Sequence, residues 1–337
     1  MAPIIKQMIG MVVLVILITG CGMGSSAEEE TAEPIEVQFG HTLSINSPWQ
    51  EGAEHFAEIV EEETDGKYEV NIFPSGQIAS GNQRKAIEML RQGSYDVDIT
   101  SSLVWSSFDE QLNITAMPWL LTSWEEAQET IDGKGGEMLL DILEGNGVTP
   151  ASIGITGFRQ MLNNEHQIET PEDLENLDMR IPNTPVYFDI YNHYGANALD
   201  MDFTEAFAGI QQGAIDGMEA VEEVVLTGSF YEILDYMSVN NYSIDFFFLS
   251  FSNDFYDQLP EEDKQIFLEA GREATEYITD YSAEANVEAL EELKNELDVY
   301  EASEEEIAAF KDSALPIYDM YRNDFSAELR DAFNYPD

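Results

Sequence analysis

One cysteine, Cys21, is too few for an intrachain disulfide, so packing and hydrogen bonding alone must hold this 337-residue chain together. Histidine is scarce as well. His41, His55, His166 and His193 show no metal-ligand spacing, and only Cys21 could add sulfur, so a zinc site is not expected. No phosphate-loop pattern occurs, and no Gly-x-Gly-x-x-Gly lies between a strand and a helix. Asp254-Phe255-Tyr256-Asp257 lacks the Gly and closing Glu of a helical calcium loop. No cofactor and no metal are therefore expected. Basic residues are few: 14 Lys and Arg stand against 67 Asp and Glu, a formal net charge of -53, which disfavours nucleic acid and other polyanionic partners. Internal repeats and low-complexity linkers are absent, and no nucleophile-base constellation stands out from the many carboxylates.

What is present is an ordinary apolar fraction, 44%, beneath acids spread from Glu28 to Asp337. That combination describes a folded protein with an acidic shell rather than a disordered tail. The length suits two domains or one large one. Such a shell repels itself in dilute buffer and is screened to within about 3 Å at 1 M salt, which points to a saline, halophilic habitat. At the start of the chain Lys6 supplies a positive n-region, and Met8 to Ile18 form a mostly apolar run too short for an ordinary spanning helix. The run closes with Leu17-Ile18-Thr19-Gly20-Cys21, which resembles a bacterial or archaeal lipobox. Residues 1–21 are thus expected to be a lipoprotein signal peptide with Cys21 lipidated, and residues 22–34 a flexible tether. The folded part then sits outside the cytoplasm, anchored to the outer face of the cell membrane.

From Ile35 the pattern alternates. Ile35 to Phe39 reads as a strand; Ser47 can cap a helix that starts with Pro48 and carries Trp49, Ala53, Phe56 and Val60 at helical spacing until Asp65-Gly66. Tyr68 to Phe73 is a strand, Asn82 to Arg91 a helix, and Asp96 to Thr100 a strand. This order predicts a mainly parallel sheet with helices on both faces. Ser123 with Glu126 can box a helix continuing toward Leu143. Val148 to Ile155 and Met179 to Ile181 read as strands; Pro185 to Tyr194 and Thr204 to Gln212 read as helices. Ile244 to Phe251 is β-like, and its Phe246-Phe247-Phe248 run fits a sheet covered on both sides. From Pro260 to about Leu297 the chain is apolar-periodic, a helix long enough to run along two domains. Two or three shorter helices follow between Ser303 and Phe333.

Against so few cations, two arginines in apolar surroundings are conspicuous: Gly157-Phe158-Arg159-Gln160-Met161 and Asp178-Met179-Arg180-Ile181-Pro182. Both can lie at strand ends, where open α/β sheets bind ligands. A guanidinium offers a rigid fork matched to a carboxylate, although 67 acids supply ample internal partners. Trp49, Trp105, Trp119 and Trp124 could flank a cleft, but aromatics are more often core.

The chain resembles the extracytoplasmic solute receptors of tripartite ATP-independent periplasmic (TRAP) transporters, the DctP-like family, over nearly all of residues 35–330. The resemblance rests on an ordered series: Gln77-Ile78 after Pro74-Ser75, Gln92-Gly93-Ser94-Tyr95-Asp96, Gly157-Phe158-Arg159, Thr170-Pro171-Glu172-Asp173-Leu174, Met179-Arg180-Ile181-Pro182, Phe203-Thr204-Glu205-Ala206, and Gln212-Gly213-Ala214-Ile215-Asp216-Gly217-Met218-Glu219. It implies an α/β, two-domain, periplasmic-binding-protein-like (Venus flytrap) fold with a long helix spanning both lobes. Domain I would hold residues 35–154 plus about 245–285, and domain II 155–244 plus about 286–337. It further implies Arg180 as the main carboxylate-binding arginine and Arg159 as the second. Phe203 would pack against the ligand, and Gln83, Ser101 and Thr42 would make polar contacts from the first domain. Glu219 and Trp105 complete the expected ligand-binding set. One departure is Ala220, where the family often has Asn. The implied function is capture of a small organic carboxylate by a monomeric receptor and its delivery to membrane subunits driven by an ion gradient. A ligand sensor for a membrane signalling partner, or an enzyme acting on an acidic substrate, are the alternatives.

Overall fold

In this computed structural model the described residues, 33–336, build one mixed sheet of nine strands. Expectations for residues 1–21, Cys21 included, and for most of the 22–34 tether fall outside the described residues. The strands are β1 (Ile35–His41), β2 (Tyr68–Phe73), β3 (Val97–Ser101), β4 (Val148–Asn163), β5 (Asp178–Ile181), β6 (Asn197–Asp200), β7 (Gly217–Ala220), β8 (Tyr236–Ser252) and β9 (Asp298–Glu301). Their order is β2-β1-β3-β8-β4-β7-β5-β6, with β9 paired to β8.

Five of the eight strand pairings are parallel, as expected, but the centre of the sheet is antiparallel. Two parallel triplets, β2-β1-β3 and β7-β5-β6, lie at its ends, and the long strands β4 and β8 join them by antiparallel pairing with each other and with β7 and β3. Each long strand serves both lobes. In β8, Phe247 to Phe251 pair with β3, while residues from Tyr236 to Ser243 pair with the part of β4 that carries β7. With 16 and 17 residues these strands are about three times the usual length. The apolar pattern marks only half of each, because Gly157, Arg159 and Gln160 interrupt it in β4 and Asn240 and Asn241 interrupt it in β8.

Helices cover both faces, as expected. On one face lie α1 (Pro48–Glu63), α7 (Phe203–Gln211), α8 (Glu222–Thr227), α9 (Asn253–Tyr256) and α10 (Glu261–Glu296). On the other lie α2 (Gln83–Arg91), α3 (Ser102–Trp105), α4 (Trp124–Asp132), α5 (Lys134–Gly145), α6 (Pro185–His193), α11 (Glu304–Tyr321) and α12 (Ala327–Ala332). The Phe run of β8 serves both sides: Phe246 and Phe248 belong to one apolar cluster, Phe247, Leu249 and Phe251 to the other.

Local chemistry sets the ends. The Ser47 side chain accepts from the Gln50 amide with Pro48 in the first turn, and the Asn82 side chain accepts from the Lys85 amide. The helix expected from Ser123 to Leu143 is two helices. It breaks at Gly133, which serves as the C-cap of α4 and the N-cap of α5, and at Gly136 an added Cβ would lie 1.9 Å from the Ile131 carbonyl oxygen. Helix α10, 36 residues and therefore about 54 Å long, packs on α1, β4, α8 and β9 and so touches both lobes. Two hydrogen bonds tie it to the sheet where β4 passes between lobes. There Thr279 Oγ1 accepts from the Ile155 amide at 3.1 Å, and Asn286 Nδ2 donates to the Thr156 carbonyl at 2.7 Å.

Candidate functional site

The cleft lies where β3, β4, β5 and β8 meet. Arg159 stands on β4 just after the register shift between Ile155 and Gly157, and Arg180 is the third residue of the short β5. β-strand alternation puts Glu219 of β7 on the opposite side of the strand from Met218, so its carboxylate lies between the two guanidiniums. Arg159 is 7% exposed and Arg180 2%.

The two arginines differ in what they already hold. Arg159 Nε pairs with Glu219, its Nη1 with Asp245, and its Nη2 donates to the Glu219 carbonyl at 2.9 Å. Tyr242 adds a hydroxyl donated to Glu219 at 3.0 Å, and Ser101 donates to Asp245 at 2.6 Å. Burial works to lower the Arg159 pKa, yet the adjoining Glu219 and Asp245 outweigh it and hold the group well above the ordinary arginine value. Burial likewise raises Asp245, with Arg159 opposing. Arg180 instead donates Nε to the Met201 carbonyl at 2.9 Å and lies 3.8 Å from Glu219. Among the described residues its terminal nitrogens make no hydrogen bond to the protein. Burial pulls its pKa down to about 10, so it stays protonated at neutral pH, and its guanidinium carbon sits 5.8 Å from the Phe203 ring centre.

These groups border about 460 Å³ of empty space. The polar wall comprises Thr42, Gln83, Ser101, Thr156, Arg159, Arg180 and Asp245; the apolar wall comprises Leu43, Trp49, Leu103, Val104, Pro182, Phe203 and Val224. An inner extension of about 320 Å³ reaches His41, Asp98 and Thr100, and an outer one of about 590 Å³ reaches Arg84, Asp200, Asp202 and Glu205. The lobes are drawn together over the cavity. Thr184 donates to the Leu103 carbonyl at 2.9 Å, Asn82 to Asp202 at 2.9 Å, and Thr204 to the Gly81 carbonyl at 3.4 Å.

Of the residues singled out from sequence, Arg180, Arg159, Phe203, Gln83, Ser101 and Thr42 line this space. Glu219 sits behind the arginines, fully buried. Trp105 lies in the apolar cluster against Phe108, with ring centres 5.8 Å apart, and is not part of the wall. Trp49 is part of it; Trp119 spends its indole N–H on the Asn240 carbonyl at 3.1 Å. Sequence reading missed Asp245, although an acid inside Ser243-Ile244-Asp245-Phe246-Phe247 carries the same signal that exposed the arginines. It also missed Thr156 and Val224, which no local pattern marks. Ala220 is buried in the cluster on the α1 and α10 face, off the wall. Among the described residues, no group of three or more His, Cys, Asp or Glu is placed to hold a metal ion, and no helix is long and apolar enough to cross a membrane.

The model of the DctP family, bacterial extracellular solute-binding protein family 7, matches residues 39–324. The chain belongs to this family. It is accordingly an extracytoplasmic solute-binding protein and not an enzyme. The C4-dicarboxylate-binding protein DctB of Bacillus subtilis is 26% identical over 304 residues, 90% of this chain and 86% of that one. Two solved structures share its fold closely. The sugar acid binding protein DctPAm of Advenella mimigardefordensis, in complex with galactonate, is 27% identical with a TM-score of 0.86, over 90% of this chain and 98% of that one. A TRAP periplasmic solute-binding protein of Polaromonas sp. JS666, bound to D-erythronate, is 26% identical with a TM-score of 0.84, over 90% and 99%.

Proposed function

We propose that this DctP-family protein captures a small organic carboxylate in the cleft between its lobes and delivers it to the membrane subunits of an ion-gradient-driven TRAP transporter. The observation that carries the reading is Arg180: a buried, protonated guanidinium on the cavity wall whose terminal nitrogens make no hydrogen bond among the described residues and meet only Glu219, at 3.8 Å. Charge-assisted, paired hydrogen bonds to a carboxylate would use them in a space closed from water. Arg159 spends its own hydrogen bonds on Glu219 and Asp245 and so offsets their negative charge beside the ligand. The carboxylate-bearing ligands of the two similar solved structures support the same reading.

The receptor acts as a monomer. Domain I comprises residues 35–154 plus about 245–285 and domain II residues 155–244 plus about 286–337; the register shift at Ile155 to Gly157, and Asn286 bonded to Thr156, support boundaries at these points. Cys21 carries a lipid anchor. The Cys21→Ser chain is expected in the soluble fraction after cell breakage; its retention with membranes equal to the parent overturns the anchor.

Binding itself is tested by thermal-shift screening of organic acids, with hits measured by calorimetry on the parent and on Arg180→Ala. Loss of a buried charged partner is expected to cost roughly 2 to 5 kcal/mol, about 30-fold to several thousand-fold in affinity. Undiminished affinity in R180A removes Arg180 from the site.

A further inference from the structure

An inner chamber opens off the space that Arg180 borders, and the two share Thr42 and Gln83. We propose that this chamber is a second subsite, in which Asp98 holds a hydroxyl group at the far end of the captured acid. The proposal deepens the carboxylate-receptor reading above and rests on it.

The first argument is what Asp98 lacks. It is 4% exposed, and strand alternation puts it with Thr100 on the face of β3 turned toward α2, while Val97 and Ile99 join the apolar cluster on the α1 face. The other buried acids have partners: Glu219 and Asp245 meet Arg159, Asp263 meets Lys67, Glu222 accepts from Gln160, and one oxygen of Glu223 accepts from Thr227. Asp98 differs. Among the described residues no lysine or arginine lines its chamber, and its Oδ2 is buried without a hydrogen-bond partner. The neighbouring Tyr95 hydroxyl donates to the Ala86 carbonyl at 3.1 Å. A buried carboxyl left in this state is stabilised by a ligand group that bonds to it.

The second argument is what the chamber can hold. Burial, with the Tyr95 hydroxyl opposing, pushes the Asp98 pKa up to about 8, so at neutral pH the carboxyl is protonated and both donates and accepts. A hydroxyl does the same and matches it with no transfer of charge. An ammonium group would require Asp98 to give up its proton, and a second carboxylate would meet no cation. Thr100 and Thr42 bring two more hydroxyls to the wall. The position paired with Asp98 across the sheet is Gly40, where a Cβ would lie 3.2 Å from Asp98 Oδ1, so the missing side chain keeps the space open. The His41 ring, one residue on, turns to the opposite face and meets Gln50 of α1 at 3.0 Å. Two other unpartnered groups on the cleft, Trp49 Nε1 and Thr156 Oγ1, border the space of Arg180 and serve the carboxylate end instead.

The test uses the full chain in mild detergent and high salt, titrated calorimetrically with hexanoate, 6-hydroxyhexanoate and 6-aminohexanoate, and with the four- and five-carbon members of the same three series. At one chain length the hydroxy acid is expected to bind roughly 2- to 12-fold more tightly than the unsubstituted acid, the worth of one neutral hydrogen bond. Asp98→Asn, which keeps a donor and an acceptor, should retain that preference. Asp98→Leu should erase it and change the unsubstituted acid less than about twofold. No preference in the parent at any length, a preference that persists in D98L, or equal losses of both acids in D98L overturns the subsite. Tighter binding of the amino series, abolished in D98N, overturns the hydroxyl choice in favour of an ammonium group. Arg180→Ala separates the two readings: loss of every series in R180A, whatever their order in the parent, leaves the receptor reading intact. If none of these acids binds while the organic-acid screen gives hits that R180A abolishes, the subsite alone falls; if the screen gives none, both readings fall.

Discussion

At the scale of the residue, the two arginines separate into a binding group and a structural one. Removing Arg180 leaves Glu219 still paired with Arg159, so R180A should fold close to normally while losing ligand. Removing Arg159 strands two buried acids. Arg159→Ala is therefore expected to lower stability by about 3 to 5 kcal/mol, measured by urea unfolding, and by clearly more than R180A; equal losses would contradict the assignment. Glu223 tests buried charge in another way. It is 3% exposed, its Oε2 has no partner, and burial pushes its pKa from 4.5 up to about 8. Folded chain thus holds a proton that unfolded chain has lost, so this stabilisation is complete below about pH 4.5 and is lost as pH rises to about 8. Glu222, pushed up to about 7, acts in the same sense. Glu223→Gln should gain about 2 to 4 °C in Tm over the parent at pH 8, and the gap should shrink toward pH 4.5; a constant gap would deny the titration.

At the scale of the element, Gly157 is the point on which the crossing strand depends. Its φ is +150°, and an added Cβ would lie 2.6 Å from Asn286 Nδ2, the atom that binds the Thr156 carbonyl. Gly157→Ala is expected to cost about 1 to 3 kcal/mol in thermal unfolding and to weaken ligand binding, because it pushes α10 off β4 beside the cavity; a variant with parental Tm would show that the crossing tolerates a side chain. This element also marks the limit of what sequence could tell. Helix Pro48–Glu63 was readable from its Ser47 cap and its period, and Glu261–Glu296 from its period, since each buries an apolar stripe. The full course of β4 and β8 was not, because polar residues at the lobe crossing serve the site and break the strand pattern. Arg159 and Arg180 were legible for the same reason in reverse: a charge amid apolar residues is costly unless paired or used. Which of the two was free could not be read, since that depends on Asp245 arriving from 86 positions away.

At the scale of the whole molecule, charge governs stability and capture. A chain of formal charge -53 repels itself, and raising salt from 0.1 M to 1 M shortens the screening length from about 10 Å to 3 Å. Tm should rise steeply over that range, and the association rate of an anionic ligand should rise with it, as the repulsive outer field is removed. Salt-independent melting would leave the acidic shell without this role. The sheet order carries a further consequence, for export. The first parallel triplet ends at β3, and β3's other neighbour, β8, begins 135 residues after β3 ends. β4 must wait for the same strand. A nascent chain lacking its last third therefore cannot complete the centre of either lobe, and it stays unfolded enough to be threaded across a membrane before it can close.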